Sequence, residues 1–292
     1  MSFEIKSFYD EVTATLTHVA FDPQTLDAVV IDPVLDYDPA SSQISTHSLD
    51  RLETFLRSKK LKIHFCLETH AHADHLTGAQ GLKERFPELI IAIGQRIVEV
   101  QDVFQKIYNL PKDFIPNGRQ FDRLLNDGEI LKAGSLELKV IFTPGHTPAC
   151  VSYLLGDAVF TGDALFMPDT GTGRCDFPKG SSQALYQSIT QRLYTLPDST
   201  RVFVGHDYKA GGSREARWES SIGFEKAQNI QISADTSQAE YQNFRDARDA
   251  TLSAPRLLLP SIQLNIDAGK IPAAEDNGVS YLKIPIISKS SK

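Results

Sequence analysis

The sequence is poor in cysteine. Its 292 residues include three, Cys66, Cys150 and Cys175, an odd number without CxxC spacing. Neither a disulfide framework nor a structural zinc knuckle is therefore indicated, and a reducing compartment suits the chain.

The sequence also lacks long apolar runs and an excess of basic residues. No stretch approaches the roughly 20 apolar residues that span a bilayer, and the start, MSFEIKSFYDEV, has neither the basic nor the apolar part of a signal peptide. The formal net charge of −7 disfavours binding to nucleic acid or to an anionic membrane. We therefore expect a cytoplasmic protein that has neither of these partners.

What the sequence does contain is an alternation of strand and helix patterns in both halves, which predicts two sheets flanked by helices. Helical spacing is found at 48–59, 76–86, 95–110 and 182–196. Residues 213–252 are helical in pattern but more polar, and the remainder through Lys292 has the pattern of a tail with a short apolar run at 281–287.

Three histidines and a carboxylate are concentrated in His70-Ala-His-Ala-Asp-His75, directly after the apolar run 63–67. At a junction between a strand and a helix, such side chains can converge on one point, as a metal site requires. His146, Asp163 and His206 also follow predicted strands, beside glycine or proline. Strand ends are where a rigid scaffold presents functional groups, so we expect these residues to join the cluster.

Four motifs in this order, HxHxDH at 70–75, TPGHT at 143–147, TGD at 161–163 and GH at 205–206 with Tyr208 close behind, resemble the metallo-β-lactamase superfamily. The resemblance covers about residues 10–230. It implies an α/β (α+β) fold, the αββα sandwich of two mixed β-sheets flanked by helices. We predict a catalytic domain over residues 1–212, and a helical extension with a C-terminal tail over 213–292 that packs on the same domain.

Two details are similar to the persulfide dioxygenases within that superfamily. They are Gly171-Thr-Gly-Arg-Cys-Asp-Phe177, and His206-Asp-Tyr-Lys in place of the His-Glu-Tyr common in glyoxalase II. This resemblance implies one catalytic Fe(II) per chain, held by His70, His146 and Asp163. Two imidazoles and one carboxylate leave positions open on an octahedral ferrous ion, so that sulfur and dioxygen can bind side by side.

The sequence also retains every residue that a two-metal site would need. His72, Asp74, His75 and His206 could hold a second metal, and Zn(II) could then replace iron. Our hypothesis gives these four residues a supporting role, in which they orient the ligands, fix tautomers and bind water.

The resemblance further implies that glutathione persulfide is oxidised by O2 to sulfite and glutathione. Because glutathione carries two carboxylates, an acidic protein needs a local cationic patch to bind it. The candidate substrate-binding residues are Arg174, Cys175, Tyr208, Lys209, Arg214 and Arg217. Cys175 serves equally well as a small loop residue, and the oligomeric state stays open, with a homodimer among the options.

Other functions fit the same motifs. A glyoxalase II-like hydrolase of glutathione thioesters would share every ligand and use a binuclear zinc site with a metal-bound hydroxide. A lactonase or β-lactamase is a weaker alternative. A metal-bound, non-catalytic persulfide sensor would use Cys175 as its switch. Metal analysis combined with oxygen uptake separates these alternatives.

Overall fold

The computed structural model describes residues 2–286, which form fifteen strands. In chain order these are β1 (Glu4–Tyr9), β2 (Leu16–Phe21), β3 (Asp27–Ile31), β4 (Val34–Asp38), β5 (Gln43–Ser45), β6 (Lys62–Glu68), β7 (Leu76–Thr77), β8 (Ile90–Gly94), β9 (Arg123–Leu125), β10 (Ile130–Ala133), β11 (Leu136–Phe142), β12 (Val151–Leu155), β13 (Ala158–Phe160), β14 (Arg201–Phe203) and β15 (Glu219–Ser221).

The helices of the same residues are α1 (His47–Ser58), α2 (Ala79–Arg85), α3 (Ile97–Ile107), α4 (Ser182–Ser188), α5 (Lys209–Gly212), α6 (Ile222–Gln228), α7 (Gln238–Asp249) and α8 (Leu258–Asn265). A π-helical turn at Ile189–Leu193 continues α4. The single turn α5 has a left-handed backbone at Ala210 and Gly211. Within the described part of the chain, no helix has the length and apolar character that crossing a bilayer requires.

The strands form two mixed six-stranded sheets and a small third one. The first sheet has the order β1-β2-β3-β6-β8-β9, antiparallel as far as β3 and parallel from there on. The second has the order β10-β11-β12-β13-β14-β15, in which only the β13–β14 pair is parallel. The third sheet, β5-β4-β7, is short.

Three apolar clusters separate four layers. Alternate residues of β3 point to opposite faces: Val29 and Ile31 join the second sheet's Leu138 in the central cluster, whereas Val30 belongs to the cluster shared with the helices. That outer cluster includes α1, α2, α3 and α8, and the third cluster joins the second sheet to α4, α6 and α7. The structure thus confirms the predicted αββα sandwich.

The structure corrects three local predictions. Leu76 and Thr77 begin no helix; they form β7 and pair with Val34 and Leu35, so α2 starts at Ala79. The polar segment 213–252 is not wholly helical, because β15 within it joins the second sheet.

The third correction concerns the predicted tail, which contains helix α8. This helix lacks the separate polar and apolar faces of a surface helix, because it is buried along most of its length. The apolar run predicted at 281–287 ends just outside the described residues. The predicted domain boundary between residues 212 and 213 stays a prediction.

Candidate metal centre

The cluster His70–His75 lies in the connection between β6 and β7, and all three of its histidines are buried. Asp32, at the end of β3, fixes the start of this connection. Its two carboxylate oxygens accept hydrogen bonds from the backbone N–H and the hydroxyl of Thr69, each at 2.8 Å. The neighbouring parallel strands β3 and β6 therefore bring their ends together at the site.

A first group consists of two imidazoles and one carboxylate. One ligand atom from each of His70, His146 and Asp163 lies within 4.8 Å of the others. Asp163 Oδ2 is 3.9 Å from His70 Nε2 and 3.6 Å from His146 Nε2. The preceding Gly162 has a φ of +50°, and a Cβ there would lie 2.6 Å from Thr69 Oγ1, so this close approach requires glycine.

A second group lies on the other side of Asp163. It contains ligand atoms of His72, Asp74, His75 and His206, also within 4.8 Å of one another. His206 Nε2 is 3.2 Å from Asp74 Oδ2 and 3.3 Å from Asp163 Oδ1. Asp163 therefore presents one oxygen to each group, which is the position of a carboxylate between two metals.

Several of these atoms are buried and make no hydrogen bond, which tests whether the site fits a cation. They are His70 Nε2, His75 Nε2, His206 Nε2, Asp74 Oδ2 and Asp163 Oδ1. A buried polar atom without a partner costs about 1–3 kcal/mol, and the loss is larger for a charged one. Metal ions bound at the two groups would satisfy these atoms, so the donor set fits metal binding.

The other ring nitrogens are held so that Nε2 can donate a lone pair. His146 Nδ1 is 2.6 Å from the carbonyl oxygen of Arg174, and His75 Nδ1 is 3.0 Å from that of Leu76. Because a carbonyl only accepts, each Nδ1 carries the proton. Burial lowers the pKa of His75 to about 4 and that of His70 well below its usual value, and the neighbouring histidines act in the same direction. Both imidazoles are thus neutral, as metal ligation requires.

His72 has a different environment from the other histidines. Its Nε2 is 3.0 Å from Asp32 Oδ1 and 3.4 Å from Glu68 Oε2. Burial alone would lower the pKa of His72, but the nearby carboxylates of Asp32 and Glu68 raise it well above its usual value. Neither carboxylate is among the residues predicted from the sequence, although each stands at a strand end, the same signal that predicts Asp163.

A cavity of about 340 Å³ opens onto Asp74, His146 and Asp163. Of the predicted substrate-binding residues, Arg174 and Tyr208 line it. The ring of Tyr208 is stacked on that of His206, with 7° between the planes. The cavity is also lined by two arginines of α7, Arg245 and Arg248, which are not among the predicted residues.

The other predicted substrate-binding residues do not line this cavity. Cys175 is buried, and its backbone N–H donates to Asp249. Lys209 is paired with Glu11, and Arg214 with Asp169 and Asp207. The backbone N–H of Arg217 donates to Asp207. The structure therefore does not bring these four residues to the metal cluster.

The cavity arginines differ in how far they are neutralised. Arg174 makes a two-pronged ion pair with Asp176, and Arg245 is paired with Asp249 in the protein interior. Arg248 is exposed and makes no ion pair with any residue in the range 2–286. Arg248 is thus the cavity arginine that is available to an anion.

Comparison with known proteins decides the family. A family profile described as the metallo-beta-lactamase superfamily matches residues 24–206. The chain belongs to the metallo-beta-lactamase superfamily. It therefore belongs to an enzyme family, and its buried histidine and aspartate cluster is a metal-binding one.

Individual superfamily relatives point to two kinds of chemistry. A probable metallo-hydrolase of Burkholderia pseudomallei is 43% identical over 97% of this chain and 98% of its own length. Glyoxylase B2 of Dictyostelium discoideum is 44% identical over 97% of each chain. The mitochondrial persulfide dioxygenase ETHE1 of Homo sapiens is 31% identical over 70% of this chain and 68% of its own.

The fold agrees with a solved member. The crystal structure of ETHE1 from Myxococcus xanthus superposes with a TM-score of 0.72 and 31% identity, and covers 92% of this chain and 100% of its own. The predicted membership in the superfamily and the predicted sandwich are confirmed.

Proposed function

We propose that this chain is a persulfide dioxygenase that oxidises glutathione persulfide with O2 at one ferrous ion held by His70, His146 and Asp163. The observation that supports this most directly is the first ligand group itself. Two imidazoles and one carboxylate with open positions are typical of non-haem iron oxygenases, and here two of the three border the arginine-lined cavity. The relationship to ETHE1 supports the same assignment.

The overall reaction balances with one water. Glutathione persulfide, O2 and water give glutathione, sulfite and two protons. The terminal sulfur loses four electrons, which O2 takes up. The S–S bond breaks, and glutathione leaves as the thiol. Ferrous iron, when bound, supplies the open positions and the electrons that activate dioxygen.

The chain's own residues bind and orient the substrate. Arg248 would pair with a carboxylate of glutathione, because its charge is not already neutralised by a neighbour. Tyr208, stacked on His206, would donate a hydrogen bond from its hydroxyl. Phe177, whose ring centroid is 5.1 Å from that of His146, would keep water away from the reacting sulfur.

A second candidate function is favoured by one observation, the second ligand group. Asp163 faces both groups, and Asp74, His75 and His206 contribute buried atoms without partners. Such a pair of sites suits two zinc ions and the hydrolysis of a glutathione thioester. The name of the Burkholderia relative, a probable metallo-hydrolase, agrees with hydrolysis.

The experiment compares the two activities on one preparation. The full chain is loaded separately with Fe(II) and with Zn(II), and metal content is measured together with oxygen uptake on glutathione persulfide and hydrolysis of S-lactoylglutathione. We expect one iron per chain, oxygen uptake and sulfite. Two zinc ions per chain, thioester hydrolysis and no oxygen uptake would overturn the proposal in favour of the hydrolase.

A further inference from the structure

Asn265, the last residue of α8, makes three hydrogen bonds to the backbone of the metal cluster. Its Nδ2 donates to the carbonyl oxygens of His72 and His75, each at 2.8 Å. Its Oδ1 accepts from the backbone N–H of Thr77 at 2.9 Å. Asn265 is 3% exposed, so water cannot replace these bonds. One side chain thus holds together the segment from His72 to Thr77, which we call the ligand loop.

The helix that carries Asn265 is firmly placed. Ile262 and Leu264 of α8 are buried in the cluster between the first sheet and its helices. Directly after α8, the carbonyl oxygen of Ile266 accepts a hydrogen bond from Gln101 of α3 at 2.8 Å. Asn265 can therefore transmit the position of a packed helix to the ligand loop.

A second connection runs through a side chain. Thr77, whose N–H is bonded to Asn265, donates from its hydroxyl to Glu68 Oε1. The other oxygen of Glu68 lies 3.4 Å from His72 Nε2. Asn265 therefore influences His72 both through its carbonyl oxygen and through the carboxylate behind its ring.

We propose that Asn265 is a positioning residue of the metal centre. It fixes the backbone of His72–His75 so that Asp74 and His75 face His206. This inference goes beyond the proposed function, because it concerns the second ligand group, which would bind a second metal or support the ligands of a single one. It holds for oxidation and for hydrolysis.

The same helix offers a matched control. Gln263 is also an amide that bonds to backbone, since its Nε2 donates to the carbonyl oxygens of Leu259 and Lys283 and its Oε1 accepts from the N–H of Lys283. These bonds lie away from the ligand loop. Gln263→Ala therefore removes comparable bonds from α8 without touching the cluster.

The experiment measures metal binding without substrate. Wild type, Asn265→Ala, Asn265→Asp and Gln263→Ala are prepared as full chains, titrated with Co(II), and compared by affinity and visible absorption spectrum, with thermal unfolding measured in parallel. Asn265→Asp keeps the acceptor for the N–H of Thr77 but turns a carboxylate oxygen towards the carbonyl oxygens of His72 and His75. It therefore tests the two hydrogen bonds that Nδ2 donates, even where Asn265→Ala fails to fold.

We expect both Asn265 variants to bind Co(II) about 10–100-fold more weakly, with an altered spectrum, as is usual when a group behind metal ligands is lost. Gln263→Ala should keep the affinity and spectrum of the wild type even where its unfolding temperature falls. Wild-type affinity and spectrum in Asn265→Asp, or an equal loss of affinity in Gln263→Ala, would overturn the proposal. Because no persulfide or thioester takes part, this outcome is independent of the catalysed reaction.

Discussion

Glu225 provides a sharp test of the electrostatics beneath the cavity. It lies on α6 with no exposed surface, and its Oε2 accepts a hydrogen bond from Asn229 Nδ2 at 2.9 Å. The same amide group of Asn229 also donates to the carbonyl oxygen of Gly171, in the loop that lines the cavity. Burial raises the pKa of Glu225 from 4.5 to about 7, and the negative charge of Asp169 acts in the same direction.

The size of the effect follows from this pKa. A carboxyl whose pKa is higher in the folded chain than in the unfolded one binds its proton more tightly when folded. Its contribution to stability is complete below the unfolded pKa and is lost as the pH rises through the folded pKa of about 7. At about 1.4 kcal/mol per pKa unit, ionised Glu225 destabilises the folded chain by about 3 kcal/mol above pH 8.

Glu225→Gln removes this charge and keeps an acceptor for Asn229. We expect the unfolding free energy of the variant, relative to wild type, to rise by about 2.5 kcal/mol between pH 5 and pH 8.5. Urea unfolding followed by circular dichroism at both pH values measures it, and metal-dependent effects cancel between the two proteins. Glu88→Gln, on the exposed surface, gives the baseline. A difference that stays constant with pH would refute the assignment of a buried, protonated carboxyl.

Two further predictions concern the site. Asp163→Ala removes an oxygen from both ligand groups, so elemental analysis should find that the purified variant has lost its metal. Asp157→Ala, on an exposed turn, should retain the metal. Equal metal content in the two variants would exclude Asp163 as a ligand. Arg248→Ala should raise the KM for glutathione persulfide about tenfold, the effect of losing one hydrogen bond to a charged group. The same variant should leave the KM for a persulfide without carboxylates unchanged. Arg57→Ala, on α1, should leave the KM values for both persulfides unchanged. Equal effects of Arg248→Ala on the two persulfides would contradict the role of Arg248.

The convergence of the predicted ligand residues could be predicted from sequence because each closely follows a strand. His70, His146 and Asp163 stand two to four residues beyond β6, β11 and β13. A strand fixes the position of the residue after it more tightly than a loop does, so ordered motifs at strand ends are sufficient to predict convergence. The central cluster between the sheets could likewise be predicted from the alternation of apolar residues within the strands.

The residues behind the ligands could not be predicted, because their roles depend on contacts between distant parts of the chain. Asn265 reaches the ligand loop from 188 residues away in sequence. Arg245 and Arg248 have the spacing of an ordinary polar helix, and only the packing of α7 against α4 places them at the cavity. Local signals carry no information about which helix covers which strand end.

The same limit explains why Arg214, one of the four predicted substrate-binding residues outside the cavity, does not line it. Arg214 is close to His206 in sequence, but an arginine next to a buried carboxylate is drawn to it, and Asp207 is fully buried 2.6 Å from the Arg214 guanidinium. An unpaired buried carboxylate would cost several kcal/mol, so its arginine partner is committed to the interior and is lost to the substrate.

The loop that carries Arg174 joins the substrate cavity to the metal centre. The carbonyl oxygen of Arg174 fixes the tautomer of His146, while its guanidinium lines the cavity. The next residue, Cys175, is tied by its N–H to Asp249 of α7, and Arg245 pairs with the same carboxylate. Helix α7 therefore supports the orientation of His146 through Cys175 and Arg174, and it also carries Arg248 at the cavity. Helix α7 of the predicted helical extension thus borders the cavity and is connected to His146 through the same loop.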